Sequence, residues 1–316
     1  NSNFQPKNVL CKHFSNEEKS YFSKNGVSSI GEGVYLNVND LRKYNQPTLN
    51  YSREFKYEYR LIKSILGSYV LERLNNASLF KKYGVKIFLS WNKYSNDHIA
   101  WSQAIKDNDG ISVNWQMAFD GDGDVGCLIN SDIVFSHSKF SVEIDKKIKS
   151  KIKHNVIIGY PKDYAPALLI DSANQVRAKL EANGAKKIVF VIDENSVDDS
   201  RWHTGHELQR ENYSHILEKV LETPWLGVLF KPKRAIDLRQ RLGHVEKLLD
   251  KAIATGRCHI FEESGRHTTT APPILAGLAS DVCIHGHLNA GTAAIECALE
   301  GLPTLLIDRE RALYSK

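Results

Sequence analysis

His285-Gly-His-Leu-Asn-Ala-Gly-Thr292, with Glu296 one helical turn further on, is the segment of this chain best equipped for chemistry. An apolar run, Ser280 to Ile284, leads into it. Small residues then open a helix, Gly301 closes it, and a second apolar run follows from Leu302 to Ile307. This is the pattern of a strand, Gly-rich turn, helix and strand in a parallel sheet. Gly286, Gly291 and Thr292 leave the backbone N–H groups of the helix start uncrowded, and such groups attract phosphate. Glu296 and Glu300 follow Thr292 at four-residue spacing, so the three share one face. Phosphate at the turn and a carboxylate for ribose hydroxyls suit a nucleotide. His285 and His287 read either as phosphate contacts or as packing.

Other polar clusters also follow apolar runs. Lys231-Pro-Lys-Arg234 reads as a loop whose Lys231 and Lys233 neutralise phosphate, or as a solvated turn. Asp193 and Glu194 end a strongly apolar run and suit a nucleophile, a general base or a ligand for sugar hydroxyls. Asp198, Asp199 and Ser200 read as helix caps. Arg201 to Arg210 is rich in donors, and His203, Glu207 and Arg210 are candidates for binding substrate. His203, His206 and Glu207 have H-x-x-H-E spacing, which is not that of a zinc helix, so no metal is assigned. Trp91 to His98 and Trp115 to Asp124 follow two earlier runs. Asp120, Asp122 and Asp124 have calcium-loop spacing, but Ser131 stands where the closing Glu is required. Trp115 and Gln116 suit stacking on and hydrogen bonding to a sugar.

The elements that must hold these residues alternate. Residues 1–80 read as a polar, irregular lead-in with short helices, followed by a helix with apolar spacing from Glu58 to Asn75. Residues 81–160 read as an α/β series with strands near Val85–Ser90, Ile111–Trp115, Asp132–Phe135 and Val156–Ile158. A helix within 161–184 links it to a second series, residues 185–316. There the strands are Lys187–Ile192, Trp225–Phe230, Cys258–Phe261 and the two apolar runs already described, and a single helix spans Ala235 to Thr255. The expected class is α/β, two Rossmann-like domains facing across a cleft, with ligands at the strand carboxyl ends. Ending soon after a strand, the second domain reads as incomplete at its C-terminus.

Composition excludes several classes. The chain has 316 residues, 42% hydrophobic and 25% charged, the balance of an ordinary globular protein. No apolar run approaches the roughly 20 residues of a bilayer span. No signal peptide is evident, although the chain opens on Asn1 rather than Met. Cys11, Cys127, Cys258, Cys283 and Cys297 are scattered without C-x-x-C spacing, as expected of buried thiols in a cytoplasmic protein. Much of the formal charge of +5 sits in Lys146 to Lys153. That run reads first as a solvated helix end or loop. Its functional alternative is peripheral contact with an anionic membrane or polyanionic glycan. No nucleic-acid motif accompanies it.

The stretch from Ser280 to Thr304, taken with Lys231-Pro-Lys233, resembles the donor-nucleotide segment of GT-B glycosyltransferases. It is similar to bacterial capsule and surface-carbohydrate transferases, among them the retaining β-Kdo transferases that use CMP-Kdo. Here Lys233 stands in place of that family's His, and Thr292 takes the hydroxyl position. Trp91 to Tyr94, Asp97-His98, Trp115-Gln116, Asp193-Glu194 and Trp202 to Glu207 extend the resemblance over residues 85–310. It implies that Lys231, Lys233, Gly291 and Thr292 hold the donor phosphate and Glu296 the ribose. Asp193 would be the nucleophile and Asp120 the acid/base. A nucleotide-sugar donor would be a substrate, no cofactor would be needed, and the acceptor would be a glycan or glycolipid at the cytoplasmic face of the plasma membrane. A UDP-sugar epimerase, a CDP-polyol phosphotransferase and a non-catalytic glycan-binding module are the alternatives.

Overall fold

Every strand pairing among the described residues is parallel. The computed structural model describes residues 9–12, 16–27, 29–30, 57–91, 97–116, 125–193, 196–198, 205–261, 271–286 and 291–307. Two units divide the chain, Asn1–Pro161 and Lys162–Lys316.

The first unit runs β1 (Val9–Lys12), α1 (Asn16–Lys24), β2 (Ser29–Ile30), α2 (Tyr57–Tyr83), β3 (Ile87–Ser90), α3 (Asp97–Lys106), β4 (Ile111–Trp115), β5 (Asn130–Ser136), α4 (Lys139–Lys147) and β6 (Lys151–Ile157). Its sheet order is β2-β1-β3-β4-β5-β6. The lead-in reading therefore needs correction, because Val9-Leu-Cys-Lys12 is an internal strand paired with both β2 and β3. Leu10 packs with Phe80, Phe88 and Ile105 on one face of the sheet. Cys11 packs with Leu89 and Val113 on the other. Four residues are too few to show a period, and only their burial distinguishes them. The basic run is shared between the end of α4 and the edge strand β6, where Lys146, Lys147, Lys149, Lys151 and Lys153 are exposed.

The second unit runs α5 (Ala165–Glu181), β7 (Lys187–Asp193), α6 (His206–Glu222), β8 (Leu226–Pro232), α7 (Leu238–Leu242), α8 (Glu246–Ala254), β9 (Cys258–Ile260), α9 (Pro273–Leu278), β10 (Val282–His285), α10 (Thr292–Leu299) and β11 (Thr304–Leu306). Its sheet order, β11-β10-β7-β8-β9, is Rossmann-like. The chain winds outward from β7 through β8 to β9, then returns to the other side of β7 for β10 and β11. Helix α6 packs through Tyr213, Leu217 and Val220 against Phe230 and Val228. Helices α5, α9 and α10 pack through Ala173, Leu180, Ala276 and Cys297 against Ile188, Phe190 and Cys283. Each fully buried Leu, Ile or Phe in these layers contributes roughly 1.5–3 kcal/mol.

The single helix expected over residues 235–255 is two helices. Gly243, at φ +55, turns the backbone through a region that favours glycine and separates α7 from α8. At Gly277 it is space that matters. A Cβ there would lie 2.6 Å from Cys297 Sγ, so α9 and α10 approach at a distance only glycine permits.

Candidate functional site

In a doubly wound sheet the helices after the two central strands leave on opposite faces, and a crevice opens between the strand ends. Here that switch point lies between β7 and β10. His285 pairs with Ile192, Ile192 with Lys231, and Asp193 with Pro232. Of the residues singled out in the sequence, His285 and Asp193 thus end the two strands of the switch point, and Lys231 lies one residue before the end of the neighbouring β8. Gly291 precedes Thr292, the first residue of the helix that follows β10. Thr292 and Glu296 are half-buried on that helix.

The strand alternation divides these groups. Cys283 and Leu229 face the layer of α5, α9 and α10, so His285 and Lys231, two residues on, lie toward that side. His285 is fully buried and its carbonyl accepts from Ile307 N at 2.9 Å. Lys231 does not lie in a loop, which both readings of Lys231-Pro-Lys-Arg234 required. It is buried in β8, and its Nζ donates to the Pro232 carbonyl at 3.1 Å. Lys233 is exposed just beyond the strand, and its backbone N–H donates to the Asp193 carbonyl at 3.2 Å.

Asp193 faces α6 and is held there. Its carboxylate accepts from Gln209 Nε2 and from Tyr213 Oη, the latter at 3.1 Å. A carboxylate engaged at both oxygens is a poor nucleophile and a good anchor. Burial, reinforced by the Asp193 charge, pushes the Tyr213 phenol well above its ordinary value, so it stays protonated and donates. Gln209 Oε1 accepts from Ser196 Oγ and from Arg241 Nη1, the latter at 2.8 Å. Arg241 also donates to Ser196 Oγ at 3.0 Å, to Asp237 Oδ1 at 3.0 Å and to the Arg234 carbonyl at 2.8 Å. His206 Nδ1 lies 2.8 Å from Ser196 Oγ. Arg210, a candidate for substrate, instead donates through Nε to the Arg241 carbonyl at 2.9 Å. Glu207 is exposed in the first turn of α6.

Sequence reasoning passed over Ser196, Gln209, Tyr213 and Arg241. A signal was present: Gln209, Tyr213, Leu217 and Val220 form the buried stripe of α6. A glutamine in an apolar stripe marks a buried partner.

In the first unit, Trp115 ends β4, half-buried beside Ile133 and Phe135, and Gln116 is buried directly after it. Ser90 pairs in register with Asn114 at the carboxyl edge of this sheet, and both are buried. Asn114 Oδ1 has no hydrogen-bond partner among the described residues. Asp120, Glu194, His203 and His287 lie outside the described residues.

No family model matches this chain, and no curated protein matches it in sequence. The fold has solved counterparts. UDP-N-acetylglucosamine 2-epimerase from Rickettsia bellii superimposes with a TM-score of 0.54 at 11% identity, over 96% of this chain and 79% of its own. The fold is of the GT-B type. Anabaena HepE, solved with UDP and glucose, gives a TM-score of 0.46 at 10% identity over 98% of this chain and 75% of its own. The N-terminal domain of Candida albicans trehalose-6-phosphate phosphatase gives 0.46 at 11% identity over 93% and 74%. At such identities the likeness is one of fold.

Proposed function

We propose that this protein is a metal-independent glycosyltransferase that takes a nucleotide-activated sugar, with CMP-Kdo among the donors to be tested, and builds bacterial surface polysaccharide. The observation that carries the reading is the placement of His285, Asp193 and Lys231 at the carboxyl-end positions of the adjacent strands β10, β7 and β8, with the Gly291–Thr292 helix start following β10. Lys231, Lys233 and the N–H groups at Thr292 neutralise the donor phosphate, and Glu296 takes the ribose. Asp193 holds the edge in shape, which leaves Glu194 and Asp120 as the candidate nucleophile and acid/base. Trp115, Gln116 and Asn114, whose Oδ1 has no hydrogen-bond partner among the described residues, serve the glycan or glycolipid acceptor. The exposed lysines of β6 carry the protein to the anionic cytoplasmic face of the membrane.

The test is thermal: UDP, CMP, CDP and GDP are added separately, and one of them is expected to raise Tm by several degrees. If none does, the reading fails. A UDP-sugar epimerase is the second reading, favoured by the match to the Rickettsia enzyme. It requires product from the donor alone, whereas a transferase requires an acceptor.

A further inference from the structure

The polar cluster beneath the second unit's edge determines where its protons sit. Gln209 lies between a buried cation, Arg241, and a buried anion, Asp193. With its oxygen toward Arg241 and its amide toward Asp193, both contacts are attractive. The flipped amide would set N–H against guanidinium and carbonyl against carboxylate, so only one orientation is stable. Gln209 Oε1 is an acceptor, so the one hydroxyl proton of Ser196 points to it. The two protons of Arg241 Nη1 supply Ser196 Oγ and Gln209 Oε1. Ser196 has no proton left for His206, and the 2.8 Å contact between Ser196 Oγ and His206 Nδ1 must be donated by the imidazole.

We infer that Arg241 is a positioning residue. Acting through Gln209 and Ser196, it holds neutral His206 as the Nδ1–H tautomer and presents Nε2 as a proton-accepting atom at the edge of the second sheet. Nε2 makes no hydrogen bond among the described residues, and the ring is half-buried at the first position of α6. A substrate hydroxyl is the group such an atom accepts from. Free imidazole favours the other tautomer, so the arrangement is imposed by its surroundings. The same guanidinium bonds the Arg234 carbonyl and Asp237, so it also ties down the turn that carries Lys233.

The inference rests on the proposed function only for the identity of the hydroxyl. Its test needs no ligand. Imidazole nitrogen-15 spectra of the full chain, taken at alkaline pH with the imidazole neutral, distinguish a protonated Nδ1 from a protonated Nε2. The native protein is expected to show protonated Nδ1 and bare Nε2. Arg241→Met and Ser196→Ala are expected to move the signal toward the Nε2–H form, and Ser196→Thr, which keeps the hydroxyl, is expected to restore it. Circular dichroism confirms that each variant is folded. If Arg241→Met does not fold, the Ser196 pair decides. A native Nε2–H tautomer, or a tautomer unchanged in folded Ser196→Ala, overturns the inference. A failure to bind nucleotide would sink the proposed function and leave these spectra as they are.

Discussion

Tyr213 shows how much one side chain contributes at this edge. Its ring stacks on Phe230 with centroids 4.5 Å apart, and its hydroxyl ends on the Asp193 carboxylate. Tyr213→Phe keeps the stack and loses the donor, leaving a buried carboxylate oxygen short of a partner. A loss of about 1–3 kcal/mol by urea denaturation is expected. The same residue sets an alkaline limit. Its phenol titrates higher in the folded chain than in the unfolded one, so its stabilisation is complete below the unfolded pKa near 10 and is lost as pH rises toward the folded value. The native protein should therefore lose stability more steeply than Tyr213→Phe above about pH 10. Equal slopes would mean that the phenol is not buried against a charge. At this scale the sequence was partly legible. Asp193, Lys231 and His285 stood out because they end apolar runs. Ser196 and Arg241 did not, because nothing in their spacing shows that they meet across 45 positions.

At the scale of elements, the legible features were those with a long apolar period. Strands β7 and β8 were read within a few residues of their bounds, and α5 lies where a helix was expected within 161–184. The break at Gly243 was missed because the amphipathic pattern continues across it, with Leu238, Leu242, Val245 and Leu249 all buried. The placement of Lys231 was missed because its charge suggested solvent, whereas β8 continues to Pro232. The contact between α9 and α10 offers a direct check on packing. Gly277→Ala puts a methyl group against Cys297 Sγ in the helix that carries Thr292. A loss of about 1–3 kcal/mol is expected from overpacking. Cys297→Ala in the same background should recover part of it, and no recovery would mean the two helices are not in contact there.

For the whole molecule, the charge distribution makes a separate claim. Lys149, Lys151 and Lys153 are exposed on and beside an edge strand that also exposes Val156 and Ile157. Near an anionic surface each lysine contributes about 1 kcal/mol. Replacing the three with Gln should abolish co-sedimentation with phosphatidylglycerol vesicles at low salt while leaving the nucleotide-induced rise in Tm intact. Equal sedimentation of variant and native protein would return the run to a solvated edge. Among the described residues no helix is long and apolar enough to cross a membrane.

The insertion of β1 between β2 and β3 has a consequence for how the protein is made. Val9 and Ile87, partners in the sheet, are about 80 positions apart in the chain. On a ribosome adding roughly 5–20 residues per second, β1 emerges several seconds before the strand that completes its pairing. During that interval the apolar Val9-Leu10-Cys11 of an open-edged strand is available to any nearby chain. Birth, more than the finished fold, is thus the stage at which this unit most needs a chaperone, and truncations ending before residue 87 should aggregate where the full chain stays soluble.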